Sequence, residues 1–129
     1  MKVVNLSEHN SVLNMYLREI RDVEIQKDPL RFRRNIERIG EFMAMEVSKV
    51  LSYEQTDVQT PLGVAPVNTI SDQLVIATIL RAGLPLHQGF LNVFDRAENA
   101  FLSAYRRVNG KGELEIVDEY MAAPPIVWE

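Results

Sequence analysis

The spacing of apolar residues along this 129-residue chain changes period several times, and each change predicts an element. Leu13, Tyr16, Leu17 and Ile20 recur at helical spacing. They predict a first helix with Ser7 as its capping residue, Glu8 in its first turn and an end near Arg21-Asp22. Phe32, Ile36, Ile39, Met43, Val47 and Val50 step by four, three, four, four and three, the clearest amphipathic pattern in the chain. Asp28-Pro29 opens that second helix, because Asp28 suits the N-cap and the N–H that proline lacks would be unpaired at the first helical position anyway. The pattern runs to about Leu51.

From residue 56 the period shortens to two. Val58, Thr60, Leu62 and Val64 alternate, with Pro61, Gly63 and Pro66 among them. Prolines confine such a strand to an edge, so the expectation is a protruding β-arm able to pair with another subunit. Val3-Val4 could add a short edge strand. Leu74-Val75-Ile76-Ala77-Thr78-Ile79-Leu80 is different again, an almost unbroken apolar run rich in β-branched residues. It predicts a strand buried on both faces, as in a parallel sheet covered by helices. Leu86, Phe90, Phe94 and Ala97 then predict a helix over 85–97. Asn99 to Tyr105 reads as the next strand, ending in Arg106-Arg107. Beyond the turn Asn109-Gly110-Lys111-Gly112, the partial alternation of Leu114, Ile116 and Tyr120 makes 102–121 a hairpin.

Two strands joined by a helix form a βαβ unit with a right-handed crossover. Both strands then carry arginine at their carboxyl ends, where open α/β sheets bind ligands. If the strands are adjacent, Arg81 and Arg106 face one crevice. Two guanidinium forks, with the N–H groups of Ala82 and Gly83 at a helix start, suit a diphosphate. The competing reading is that each arginine caps a strand in solvent. Arg81 stands evenly between the two, and Arg107 falls to the second.

The other polar residues carry less. His87, one turn into a helix, reads as exposed or partly packed rather than catalytic, and His9 as a surface residue. Asp95, Asp118 and Glu119 have no metal-ligand spacing. Tyr53 and Tyr105 read as packing residues, and Trp128 as either a staple for the terminus or an exposed aromatic. There is no order of Ser, His and Asp for a triad and no glycine-rich nucleotide loop, so no residue is assigned as catalytic. Arg31, Arg33, Arg34 and Arg38 line the outer face of the second helix beside Glu37 and Glu41. This reads as a solvated face whose ion pairs contribute about 0.2–0.5 kcal/mol each, with an anion or nucleic-acid patch as the alternative.

Composition narrows the classes. A net charge of −4 gives no global nucleic-acid signal. The absence of cysteine excludes a disulfide framework and a thiolate site, and fits a cytosolic protein. Two histidines far apart exclude a histidine-rich metal site. No apolar run approaches the roughly 18 residues of a membrane span, and Met1 to Asn5 turns polar too soon for a secretory signal.

The string Ile79-Leu80-Arg81-Ala82-Gly83-Leu84, with Gly89 closing the next turn, resembles the uracil phosphoribosyltransferase family. Thr60-Pro61-Leu62-Gly63 resembles that family's β-arm, Tyr105-Arg106 its second arginine motif, and the two leading helices its N-terminal extension. The resemblance covers about residues 1–125. It implies an α/β fold with a phosphoribosyltransferase-type, Rossmann-like parallel sheet core. One domain would span 1–129: a helical extension over 1–55, a β-arm over 56–70, a βαβ core over 71–107 and a hairpin over 108–121. It further implies transfer of a ribosyl phosphate from phosphoribosyl diphosphate to uracil, usually with Mg²⁺, by a cytoplasmic homodimer or higher oligomer. Arg81, Ala82, Gly83 and Arg106 would bind the donor.

The sequence also departs from the family. Pro85-Leu86-His87-Gln88 stands where many members have a glycine and an acidic residue, and Asn109-Gly110-Lys111-Gly112 replaces a commoner acidic turn. Nothing matches the family's Asp-Pro-Met-Leu-Ala-Thr-Gly-Gly type of loop for the 5-phosphate, or its Gly-Asp-Ala segment for uracil. The chain is therefore expected to be the N-terminal portion of the enzyme, without uridine monophosphate synthesis of its own. An RNA-binding regulator of pyrimidine genes, using the helical arginines, and a non-catalytic dimerisation module are the alternatives.

Overall fold

The computed structural model describes residues 3–125, so Trp128 and the Met1-Lys2 start lie outside the described residues. The elements are α1 (Leu13–Arg21), α2 (Pro29–Ser48), β1 (Tyr53–Thr60), β2 (Gly63–Ile70), β3 (Val75–Leu80), α3 (Leu84–Val93), β4 (Glu98–Val108) and β5 (Leu114–Ala122).

Local chemistry sets the first boundaries. Asp28 caps α2, its Oδ1 accepting from the N–H groups of Leu30 at 3.0 Å and Arg31 at 3.1 Å. The far end of α2 tightens, because Lys49, Val50 and Leu51 each bond three residues back rather than four. The regular helix thus stops at Ser48, short of Leu51. Ser7 caps nothing. It lies in a 3₁₀ turn, Leu6–Glu8, whose cap is Asn5, and α1 starts only at Leu13. Val3 and Val4 form no strand and are exposed.

Helices α1 and α2 meet through a polar clasp. Asn35 is fully buried; its Nδ2 donates to Glu19 at 2.6 Å and its Oδ1 accepts from Arg38 at 3.0 Å. Helices α2 and α3 cross with their backbones almost in contact. A Cβ built on Gly40 would stand 2.7 Å from the Leu86 carbonyl oxygen, and one on Gly89 would stand 2.9 Å from the Gly40 Cα. Only glycine on both sides permits that approach.

The strands form two separate sheets. β1 and β2 make an antiparallel ribbon, Tyr53 opposite Ile70 through Thr60 opposite Gly63. Gly63 has φ 133, which favours glycine. The base of this arm is closed by Ser52 N–H to Asp72 Oδ2 at 2.6 Å and Ser71 N–H to the Ser52 carbonyl at 3.1 Å. The second sheet has the order β3-β4-β5. β3 and β4 are parallel, from Val75 opposite Glu98 to Leu80 opposite Ser103. β5 returns antiparallel to β4.

α3 covers one face of this sheet, where Phe94 is buried. The reading of β3 as buried on both faces holds for that side alone. Thr78 lies under the start of α3, so its alternating neighbours Ala77 and Ile79 point to the opposite face. Both are exposed there, Ile79 to 58%. Among the described residues no layer covers them, and β3 is an edge strand.

Candidate functional site

The site lies where β3 gives way to α3. β3 ends at Leu80, the Leu80–Arg81 peptide is cis, and Gly83 stands as the N-cap residue of α3 with Pro85 in the first turn. Arg81 and Ala82 are exposed and Gly83 is partly buried. The turn is held by the Gly83 N–H bonding the Ile79 carbonyl at 3.2 Å and the Leu84 N–H bonding the Arg81 carbonyl at 3.2 Å. The Gly83 amide is thereby committed to the turn. The Ala82 amide has no acceptor among the described residues, so it is free to meet an anion. What Gly83 supplies is room: a Cβ there would stand 2.5 Å from Thr78 Oγ1 and 2.8 Å from the Ile79 carbonyl oxygen.

β3 and β4 are neighbours and parallel, so Arg81 and Arg106 share one end of the sheet. They are not level. β3 ends with Leu80 opposite Ser103, and Arg106 stands three residues further along β4 than that last pair. Arg106 also lies inside β4 rather than at its end, because pairing with β5 carries the strand on to Val108, with Arg106 opposite Ile116. Among the described residues neither Arg81 nor Arg106 has a carboxylate partner. Arg107 does: its Nε donates to Glu115 at 2.7 Å across the hairpin.

The arginines of α2 are engaged elsewhere. Arg31 pairs with Glu19 at 3.3 Å and Arg34 with Glu37 at 2.7 Å. Arg38 lies over the Tyr16 ring at 5.1 Å. The outer face is thus largely an ion-paired one, and nothing in it favours an RNA-binding reading. Hydrogen bonds hold the Glu37 carboxyl below the usual carboxylate range, from Arg34 first and then from Asn92. Asn92 reaches across from α3 to Glu37 at 2.9 Å and Glu41 at 2.7 Å, tying down the helix that carries the turn.

Two features were not visible in sequence. Thr78 is the floor under Gly83; its only signal is a hydroxyl in an otherwise apolar run. His87 is buried, 6% exposed, with Nε2 2.7 Å from Asn99 Oδ1 and its ring 5.1 Å from that of Phe101. Since a carboxamide oxygen only accepts, Nε2 carries the proton. His87 is therefore a packed residue locking α3 to β4.

The sequence pattern of the family described as uracil phosphoribosyltransferase matches residues 6–120. The chain belongs to the uracil phosphoribosyltransferase family. Uracil phosphoribosyltransferase of Porphyromonas gingivalis is 53% identical over 126 residues, covering 98% of this chain and 58% of that protein. The Thermococcus kodakarensis protein of the same name is 34% identical over 112 residues, covering 85% of this chain and 47% of its own length. The solved structure of the AQ2163 protein from Aquifex aeolicus superposes with a TM-score of 0.72 at 24% identity, over 90% of this chain and 54% of that one, a likeness of fold. The chain thus spans about half the length of these uracil phosphoribosyltransferases. The parallel-containing α/β sheet fits a phosphoribosyltransferase-type fold.

Proposed function

We propose that this chain supplies the diphosphate-gripping part of a uracil phosphoribosyltransferase, which joins uracil to phosphoribosyl diphosphate and releases uridine monophosphate and diphosphate. The observation that carries this is the pair of exposed guanidinium groups, Arg81 and Arg106, at one end of two adjacent parallel strands in a chain matching the family over residues 6–120.

In that reaction a bond forms from a uracil ring nitrogen to the anomeric carbon, and the bond from that carbon to the diphosphate oxygen breaks. The nitrogen's proton is released, and the diphosphate leaves with the electron pair. Negative charge grows on the leaving group while the sugar gains oxocarbenium character. Fixed guanidinium charge and the Ala82 amide, already placed, stabilise that leaving group more in the transition state than in the ground state. Holding donor and acceptor in register adds an entropic contribution.

No group of three or more His, Asp or Glu side chains stands together as a metal site among the described residues. The donors and cations of this turn do not fit a Mg²⁺ ligand set, which takes oxygens. The Mg²⁺ implied by the family resemblance would be held through the substrate's phosphates. The exposed β1–β2 arm supports a homodimer, and the absence of cysteine supports a cytoplasmic setting. Among the described residues no helix is long and apolar enough to cross a membrane.

Titration calorimetry of the chain with inorganic diphosphate tests the site. Hydrogen bonds to charged groups contribute about 1.5–3 kcal/mol. Arg81→Ala and Arg106→Ala should each weaken binding roughly tenfold or more, while Arg107→Ala, already paired with Glu115, should not. Equal affinities for all four proteins would overturn the reading.

A further inference from the structure

Among the described residues, one side-chain hydrogen bond joins α3 to the β3–β4–β5 sheet, the 2.7 Å bond between His87 Nε2 and Asn99 Oδ1. The bonds of Gln88 and Asn92 run along α3 or away to α2. His87 also holds the arginine turn through its backbone, its N–H donating to the Gly83 carbonyl at 2.9 Å. One residue thus bridges the turn after β3 and the strand that carries Arg106. For packing alone the ring is a poor choice. It is 6% exposed, and its Nδ1 is buried with no hydrogen-bond partner among the described residues. A bare buried acceptor costs stability that an apolar side chain of similar size would not. What an apolar residue cannot supply is the directed Nε2 bond.

We propose that His87 is a positioning residue. Through Asn99 it fixes where the Arg81 turn stands relative to β4, and so the spacing at which Arg81 and Arg106 meet the two phosphates of one diphosphate. β3 and β4 are paired only as far as Leu80 opposite Ser103, and Arg81 lies past that last pair. Its place is then set by α3, into which the turn leads. The glycine crossing and the bonds of Asn92 to Glu37 and Glu41 hold α3 to α2, not to the strand bearing Arg106. The His87–Asn99 bond supplies that missing tie. Arg106, for its part, is held by the pairing of β4 with β5. The two phosphoryl groups of a diphosphate share one bridging oxygen, so this ligand senses the spacing of two cations. Inorganic phosphate can be met by either cation alone. Locking such groups through a second layer of hydrogen bonds is how a site keeps its geometry before ligand arrives. The positioning role rests on the diphosphate-binding role of Arg81 and Arg106.

Calorimetry of the 129-residue chain with inorganic diphosphate and with inorganic phosphate gives the ratio of the two affinities. The ligand charges are the same for every variant, so they cancel when ratios are compared, and a changed ratio reports spacing. His87→Leu keeps the buried position apolar and removes the Nε2 bond. It should lower the ratio about tenfold, mainly by weakening diphosphate. Asn99→Ala removes the same bond from an exposed position on β4, so it decides the matter even where the buried variant fails to fold, and it should lower the ratio alike. His87→Gln, whose carboxamide N–H can reach Asn99, should restore most of the ratio. Gln88→Ala is the control; its residue bonds only Asn92, within α3, and the ratio should stay at the parent value. Melting temperatures are measured alongside, since a merely structural role would lower them and leave the ratio alone. If Arg81→Ala and Arg106→Ala bind diphosphate as the parent does, the diphosphate site is overturned and the positioning role with it. If those two variants weaken binding while Asn99→Ala keeps the parent ratio, the site stands and the positioning role alone is overturned.

Discussion

Gly89→Ala probes the contact on which the position of the site depends. Helix α3 carries the Arg81 turn at its start and is pressed backbone to backbone against α2. A Cβ at residue 89 would overlap the Glu37 carbonyl oxygen and stand 3.0 Å from its carbon and 2.9 Å from the Gly40 Cα. All of these are backbone atoms, so no side chain can swing aside. Restoring ordinary contact requires the helices to part by about 1 Å. Two effects oppose each other. Alanine gains about 1 kcal/mol over glycine inside a helix, whereas overpacking costs about 1–3 kcal/mol. With backbone on both sides the upper part of that range applies, leaving a net loss of about 1–2 kcal/mol, or roughly 4–10 °C in melting temperature. Thermal and urea unfolding followed by circular dichroism would measure it. Gly110→Ala is the control, since nothing lies within 4 Å of its Cβ, and it should stay within about 0.5 kcal/mol. A Gly89→Ala protein as stable as its parent would refute the view that this crossing is closed by glycine alone.

Asn35→Ala should destabilise by about 1–3 kcal/mol, because it strips both Glu19 and Arg38 of a buried partner; an unchanged urea midpoint would contradict this. Stability should also fall in acid. Glu19, chiefly through Asn35, and Glu37, chiefly through Arg34, have folded pKa values below their ordinary ones. Their contribution is therefore fully present above the unfolded value near 4.3 and is lost as pH falls through the folded values. Urea midpoints should be flat from about pH 5 to 7 and drop below about pH 4.3, less so in Glu37→Gln. Sedimentation addresses the arm: a homodimer weakened by Val64→Lys is expected, Val64 being 64% exposed, and a clean monomer at high concentration would contradict it.

What could be read from sequence was what neighbours along the chain decide. Asp28-Pro29 marked the start of α2 because cap and first turn are adjacent residues. The end of α2 was placed too far on, because a tightened last turn keeps the same apolar spacing. Ser7 is no cap because Asn5, two residues earlier, takes its N–H and opens a separate 3₁₀ turn ahead of α1. That Arg81 and Arg106 share a sheet end followed from the βαβ connection alone. Their offset did not, since it depends on register, and neither did the extension of β4, which comes from pairing with β5. The bond between His87 and Asn99 joins a helix to a strand and leaves no periodic trace. The run at β3 spoke of two covered faces, and it describes the surroundings the strand suits rather than those it has.

The clasp at the foot of the β1–β2 arm has a consequence for how such a protein can change. The chain leaves the body at Ser52 and returns at Ser71, one hydrogen bond away. What lies between is a detour whose length the body does not sense. Doubling such an excursion costs only about 0.6 kcal/mol in closure entropy. Residues can therefore be inserted in or removed from the arm while α2, β3 and the arginine turn keep their places. The arm can therefore lengthen or shorten in a lineage while the end of the sheet that carries Arg81 stays as it is.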